Sequence, residues 1–564
     1  MAAGLNNLSS YQAAWLRRDV VAGLVLTALL VPQGMAYAEL AGLPPITGLY
    51  TTILCLVAYA LFGPSKILVL GPDSSLGPMI AATIVPLVAA GDDPGRAVAL
   101  GSALALLVGA IIAAAGIARL GFVADLISKP TIIGYMNGLA LTILVGQLPK
   151  LFGFSVDGDG FRAELTGFLR GVADGETVAA ALAIGLVGLA LILGLGLWLP
   201  QVPGVLIAVV LSIVAAVAFD LAQHGVDLVG ELPQGFPPFT LPRVGLSDLG
   251  LLFAGAFGIA LVSLADTIST ASSFAARSGD EVDGQQEMIG IGVANLAAGL
   301  FQGFPVSTSG SRTAVAERAG AKTQVTGLVG AAAIVLILLF FPGLLRDLPQ
   351  PTLAAVVIAA SLSLADIPGT LRLRRIRHTE FLLSVAAFLG VVILGVLPGI
   401  ALAVALSIGN VFRRAWWPYQ TTLGRVPGLA GYHDVTSYPH AMLMPGCVIF
   451  RFDAPLFFAN SRTFREQIRA VAAAEPRPRW IIVASEPITD VDTTAADMLE
   501  ELDVELNARG ISLVFAEMKD PVRSKIERYE LTDTIDPQHF FPTITQAVKA
   551  YQRETGADWQ PPSS

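Results

Sequence analysis

Charge is what this chain has least of. Of 564 residues, 14% are Asp, Glu, Lys or Arg and 54% are hydrophobic, where a soluble domain carries roughly one-quarter charged residues. Cysteine is nearly absent. Cys55 lies in an apolar run and Cys447 in a polar region, so no disulfide framework is expected. Five histidines stand without ligand spacing, which argues against a zinc site. There is no nucleotide-binding loop and no nucleophile–base constellation, so an enzyme is not expected, nor a cofactor. A net charge of −9 argues against a nucleic-acid partner. No cleavable signal is visible, because the N-terminus is polar through Asp19 and runs straight into an apolar span.

What is present is hydrophobic blocks of membrane length, among them Ala97–Gly116, Val178–Leu199, Val205–Phe219, Leu251–Leu264 and Val325–Phe341. Helices that are apolar all round suit a bilayer rather than a soluble core. The reading is an α-helical polytopic membrane protein with the lipid bilayer as its surroundings. Arg17 and Arg18, the cluster Arg372, Arg374, Arg375, Arg377 and His378, and the pair Arg413 and Arg414 belong on the cytoplasmic side by the positive-inside rule. Both ends on one side require an even number of spans, and fourteen are expected. The expected layout is a cytoplasmic segment 1–19, a transport domain 20–415 and a linker 416–433. A cytoplasmic α/β domain 434–555 and a disordered tail 556–564 follow. The α/β assignment rests on strand-length runs at Cys447–Phe452, Trp480–Ala484 and Ile511–Phe515, alternating with helical patterns at Ser461–Ala474 and Thr493–Arg509.

The segment Phe301–Gln324 (FQGFPVSTSGSRTAVAERAGAKTQ) is polar among apolar runs. A half-helix starting near Ser309 aims free backbone N–H groups and a positive dipole end at one point, and Arg312 adds a fixed cation. An earlier counterpart exists: VPQG interrupts the first span at Val31–Gly34, and Ile67–Leu70 is followed by GPDSSLGP, where Ser74 and Ser75 open the third helix. Two short Gly/Pro-broken segments in corresponding halves point to crossed half-helices with an anion between them. Candidate substrate-binding residues are Gln33, Tyr37, Ser74, Ser75, Ser307, Thr308, Ser309, Gly310, Ser311 and Arg312. Asp73 would repel an anion and reads better as a helix cap. Asp266, with Thr270 one turn on, is an intramembrane carboxylate suited to hold H⁺ or to bind Na⁺. Its structural alternative is an ion pair with Arg312, and that of Arg312 is a solvated charge. Glu39 is a weaker candidate near a water-exposed helix end.

These segments, with VPQGMAYAELAGLPPITGLYT (Val31–Thr51), GFPVSTSGSRTAVAERAGAKTQ and ITDVDTTAADML (Ile488–Leu499), make the chain resemble the SulP family of anion transporters with a C-terminal STAS domain. The resemblance implies two inverted seven-helix repeats, a core domain moving against a gate domain, and a homodimer. It implies secondary active transport of sulfate, bicarbonate or a C4-dicarboxylate, with Asp266 as the coupling acid. In related anti-sigma-factor antagonists a phosphorylated hydroxyl aligns with Thr493, although a plain helix start explains the same residues. The STAS domain is also a place for a cytosolic protein partner. The other readings are a membrane anion sensor signalling through that domain and an uncoupled anion channel.

Overall fold

In a computed structural model of the protein, residues 4–5, 9–88, 93–121, 128–156, 158, 160–199, 202–279 and 281–559 are described. Contacts divide the chain into two compact units, Met1–Ile408 and Gly409–Ser564.

Among the described residues, fourteen helices carry the first unit once two charged, amphipathic surface helices (Phe161–Ala173 and Ile367–Ile376) are set aside. The first seven are α1 Leu16–Leu40, α2 Pro45–Phe62, α3 Gly77–Ile84, α4 Pro94–Ile117, α5 Lys129–Phe152, α6 Ala179–Trp198 and α7 Gly204–Ala218. The second seven are α8 Leu249–Ser278, α9 Gly284–Leu300, α10 Gly310–Arg318, α11 Val325–Phe340, α12 Gln350–Leu364, α13 His378–Leu394 and α14 Val396–Trp416. By length and composition, eight helices among the described residues could cross a membrane, the second surface helix being counted with α12; several others, α3 included, are shorter apolar pieces.

Packing between the two runs is reciprocal. Helix α9 packs on α4 as α2 packs on α11; α8 on α4 as α1 on α11; α13 on α5 as α6 on α12; α3 on α8 as α10 on α1. Each pair becomes the other when the first seven helices are exchanged for the second seven. Strand β1 (Leu70–Gly71) precedes α3, strand β2 (Ser307–Thr308) precedes α10, and the two pair antiparallel with Leu70 opposite Thr308 and Gly71 opposite Ser307. The ladder therefore sends α3 and α10 away in opposite directions from adjacent starts.

Several expected boundaries move. VPQG does not interrupt the first span: Pro32 lies inside the continuous helix α1, since a proline removes only one donor from a long membrane helix, whose freed groups its neighbours can satisfy. The segment 1–19 does not end in a polar approach, because α1 starts at Leu16 and Asp19 is fully buried. Asp19 Oδ1 accepts the N–H of Lys322 at 2.6 Å and of Thr323 at 3.2 Å and the Thr326 hydroxyl at 3.1 Å, while Oδ2 accepts the Thr323 hydroxyl at 2.7 Å. One carboxylate thus fixes the turn that leads into α11.

In the second unit, the sheet order is β4-β3-β5-β6-β7-β8, from β3 Gln420–Gly424, β4 His433–Asp434, β5 Cys447–Phe452, β6 Trp480–Ala484, β7 Ser512–Ala516 and β8 Phe540–Phe541. Strands β5 to β8 are parallel, and β3 runs antiparallel to β5. The stretch 416–433 expected as a linker therefore contributes a strand, since Thr422 and Leu423 pair with Phe450 and Ile449. Alternation along β5 sends Phe450 and Phe452 to one core, with α15 (Ser461–Ala472), α16 (Thr493–Asn507) and α17 (Asp520–Arg528), and Cys447 and Ile449 to another, with α18 (Ile544–Thr555). Both cysteines are free and buried. Of the expected tail, Ala557 and Trp559 pack against the second core; residues 560–564 lie outside the described residues.

Removing the Asp19 carboxylate would leave two N–H groups and two hydroxyls without their acceptor, so Asp19→Ala should destabilise the protein by roughly 2–4 kcal/mol, read as a lower melting temperature in detergent. In α16, burial pushes Asp503 up to about 6, and Asn507 Nδ2 at 2.8 Å offsets this only in part. The folded state holds this proton more tightly than the unfolded chain does, so the contribution of Asp503 to stability is full below about pH 4 and is lost as pH rises through about 6. Asp503→Asn should flatten that dependence in calorimetry of the full chain, and an unaltered pH profile would refute it.

Candidate functional site

The starts of α3 and α10 converge where β1 crosses β2. Ser309 caps α10, its Oγ accepting the Arg312 N–H at 3.5 Å while its carbonyl accepts the Thr313 N–H at 2.9 Å. Helix geometry leaves the N–H groups of Gly310 and Ser311 without intrahelical acceptors, and both residues are exposed. On the other side, α3 starts at Gly77 rather than at Ser74. Ser74 and Ser75 form the turn before it, because Asp73 closes that turn: its Oδ1 accepts the N–H of Ser75 at 3.0 Å, and its carbonyl accepts the N–H of Leu76 and Gly77 at 3.2 Å each.

Arg312 is 1% exposed, which overturns the reading of a solvated charge. Its Nη2 donates to the Pro72 carbonyl at 2.6 Å and lies 3.6 Å from Asp73 Oδ2. The structural pair of Arg312 is therefore Asp73 and not Asp266. Nε and Nη1 of Arg312, Ser307 Oγ and Thr308 Oγ1 are buried with no hydrogen-bond partner among the described residues. Unmet donors on a buried cation are costly, and an anion is the ligand that would satisfy them.

Asp266 reaches the same place from α8. Ser75 Oγ lies 3.2 Å from Asp266 Oδ2 and 2.8 Å from Asp73 Oδ1. Ser75 Oγ thus stands between the two carboxylates. Thr270 stands next to Gly310, where an added Cβ would meet Thr270 Cγ2 and Oγ1 at 3.9 Å. Tyr37 is buried on α1 with its hydroxyl toward Ser74 and within reach of the charges of Asp73 and Arg312; Gln33 lies half-buried one turn earlier on the same face. Ser311 Oγ contacts Ser309 Oγ at 3.1 Å. Tyr37, Ser74, Ser75, Asp266, Thr270 and Ser307–Arg312 thus lie around the ladder, from α1, the α3 turn, α8, β2 and α10, whereas Glu39 lies apart against Gln350.

Thr493 lies elsewhere, in the second unit. It is the exposed first residue of α16, and the cap is Asp492, whose Oδ1 accepts the Ala495 N–H at 2.8 Å and Oδ2 the Phe458 N–H at 2.8 Å.

Three groups were not singled out beforehand. Asn295 on α9 fixes β2, accepting the Val306 N–H at 2.9 Å, and Ser263 donates to the Val306 carbonyl at 3.0 Å. Tyr135 on α5 lines a small cavity with Asp266. Polar residues inside apolar helices are the signal that would have found them. No group of three or more metal-ligating side chains occurs among the described residues.

A helical membrane unit with opposed helix starts around a buried arginine, joined to a small α/β unit, defines a membrane anion transporter of crossed-half-helix type. The comparisons give its family. The sulfate permease family model matches residues 16–387, and a STAS domain model matches residues 438–547. The chain is 42% identical over 553 residues to a probable sulfate transporter of Mycobacterium tuberculosis, covering 98% of each chain. It is 31% identical to probable sulfate transporter 3.3 of Arabidopsis thaliana, covering 95% of this chain and 88% of that one. Murine Solute Carrier 26 family member A9, an anion transporter solved in the inward-facing state, superposes with a TM-score of 0.89 at 25% identity, covering 98% and 94%. The chain belongs to the sulfate permease family and carries a STAS domain; it is a transporter and not an enzyme.

A Cβ on Gly71 would lie 2.5 Å from Arg312 Nη1. Gly71→Ala should therefore displace the guanidinium and weaken anion binding about tenfold or more, whereas Gly310→Ala, in open contact only, should bind almost as the wild type does. Equal affinities for Gly71→Ala and wild type in equilibrium binding would remove Arg312 from the site.

Proposed function

We propose that the chain is a secondary active transporter that moves sulfate, driven by H⁺ or Na⁺ taken up at Asp266, by alternating access. The observation that carries this reading is the buried Arg312 with two unmet donor atoms between two opposed helix starts. A tetrahedral oxyanion suits such a cradle, since it accepts from several directions at once. Sulfate is favoured over bicarbonate or a C4-dicarboxylate by the names of relatives from a bacterium and a plant.

Charge supports the coupling. Arg312 is balanced by Asp73, which leaves the Asp266 carboxylate in excess. A dianion entering beside it meets repulsion that a bound H⁺ or Na⁺ removes, so cation and anion favour each other's binding. Helices α1–α4 and α8–α11, which hold the site, act as the core, and α5–α7 and α12–α14 as the gate; the reciprocal packing supports fourteen spans in two inverted repeats. The basic clusters support cytoplasmic termini in a plasma membrane. The STAS domain serves in a homodimer or as a docking point for a cytosolic protein, with Thr493 as an exposed position for phosphate at a helix start.

In proteoliposomes, Asp266→Asn should bind sulfate yet lose the stimulation of uptake by an imposed pH or Na⁺ gradient, whichever drives the wild type, a loss of about 5-fold or more. Gradient-driven accumulation by the Asn protein would exclude Asp266 as the coupling acid. Binding without flux in the wild type would favour a sensor, and ohmic currents without accumulation a channel.

A further inference from the structure

Helix α1 carries Tyr37 at the anion site and, two residues on, Glu39 at the wall of a cavity of about 1550 Å³. That cavity opens at the end of the unit opposite Arg17, because α1 begins at Leu16 and ends at Leu40. Among the described residues its lining includes Glu39, Asp93, Glu176, Asp227, Gln350 and one cation, Lys150. Glu39 Oε1 accepts the Gln350 Nε2–H at 2.8 Å, and Oε2 lies 4.0 Å from Lys150 Nζ. The carboxylate side chain is 11% exposed and the lysine 40%. Gln350 is the first residue of α12 and is held in place by its own N–H, which donates to the Asp227 carbonyl at 2.8 Å. Lys150 closes α5. Glu39 therefore joins the end of α1 to the ends of α5 and α12.

The donors that Glu39 occupies, one ammonium and one amide N–H, are those an oxyanion would use. A carboxylate tethered on a helix is a built-in competitor for them. We propose that Lys150 and Gln350 form a first binding station for sulfate at the cavity floor, and that Glu39 is a displaceable clasp which holds this station until an anion takes its place. Resting on the transporter reading above, the clasp joins core helix α1 to gate helices α5 and α12. Its release by substrate frees the two bundles to move only when an anion is at hand. The exchange is one of partners, with no covalent step. The anion gains the ammonium, and Glu39 turns into the water of the cavity. Four lining carboxylates make Lys150 the attractive point in an otherwise repulsive vestibule.

The test is sidedness. Radiolabelled sulfate uptake by the full chain is measured in right-side-out and in inside-out vesicles. Glu39→Gln, which keeps a partner for Gln350 and deletes the competing charge, should lower the half-saturating concentration at the cavity face about 5-fold, and Lys150→Gln should raise it about 5-fold. The change at the opposite face should stay below about twofold in both. Equal shifts at the two faces would mean that Glu39 only supports the fold, and no shift at either would dispose of the station; both overturn the proposal. Gln350→Ala supplies the same asymmetry, by loss of the amide donor, should a charge variant fail to fold. A wild type without saturable flux would instead overturn the transporter reading, and the clasp with it.

Discussion

A guanidinium that cannot reach water organises the membrane unit. Arg312 has one firm partner, the Pro72 carbonyl, and one looser one, Asp73; the cost of burying it elsewhere unmet would be several kcal/mol. Gly71 must lack a side chain for the cation to fit. Asp73 must sit where its carboxylate closes the α3 turn and faces the cation together. The β1–β2 ladder must bring residues 71 and 307 side by side. Each requirement is met by backbone held from behind, by Asn295 and Ser263 on Val306 and by Thr313 Oγ1 on the Val69 N–H at 3.1 Å.

The site is arranged so that its charges are one short of balance. Asp73 answers Arg312, and Asp266 shares Ser75 with Asp73 without a cation of its own. An acid beside a buried arginine is therefore no contradiction: Asp73 holds the cation, and Asp266 meets it only through the shared hydroxyl.

Much of this was legible in the sequence, for particular reasons. The opposed half-helices could be read because Gly, Pro and Ser interrupt apolar runs at matching places, and a polar backbone at membrane depth is tolerated only around a cavity. The strands of the second unit could be read because CVIFRF and WIIVA are too short for helices. What could not be read was partnership across long separations. Arg312 lies 240 residues from Pro72, and no local pattern tells Asp73 from Asp266 as its partner. Asp19 looked like the end of a polar leader because its partners, Lys322, Thr323 and Thr326, lie at the far side of the chain. The strand Gln420–Gly424 was missed because QTTLG is polar and short, and it becomes a strand only when β5 offers an edge.

The two-residue ladder also sets an order of events during synthesis. Its halves are made far apart in time: at about 5–20 residues per second, the interval between Gly71 and Ser307 is on the order of ten to fifty seconds. Until β2 arrives, β1 and the turn before α3 have no strand partner, and the Asp73 carboxylate has no guanidinium. Unpaired backbone cannot wait in hydrocarbon. The first half must therefore be sheltered in a wet or protein-lined setting at the insertion machinery, and the site between the two helix starts cannot form before Ser307–Arg312 are made.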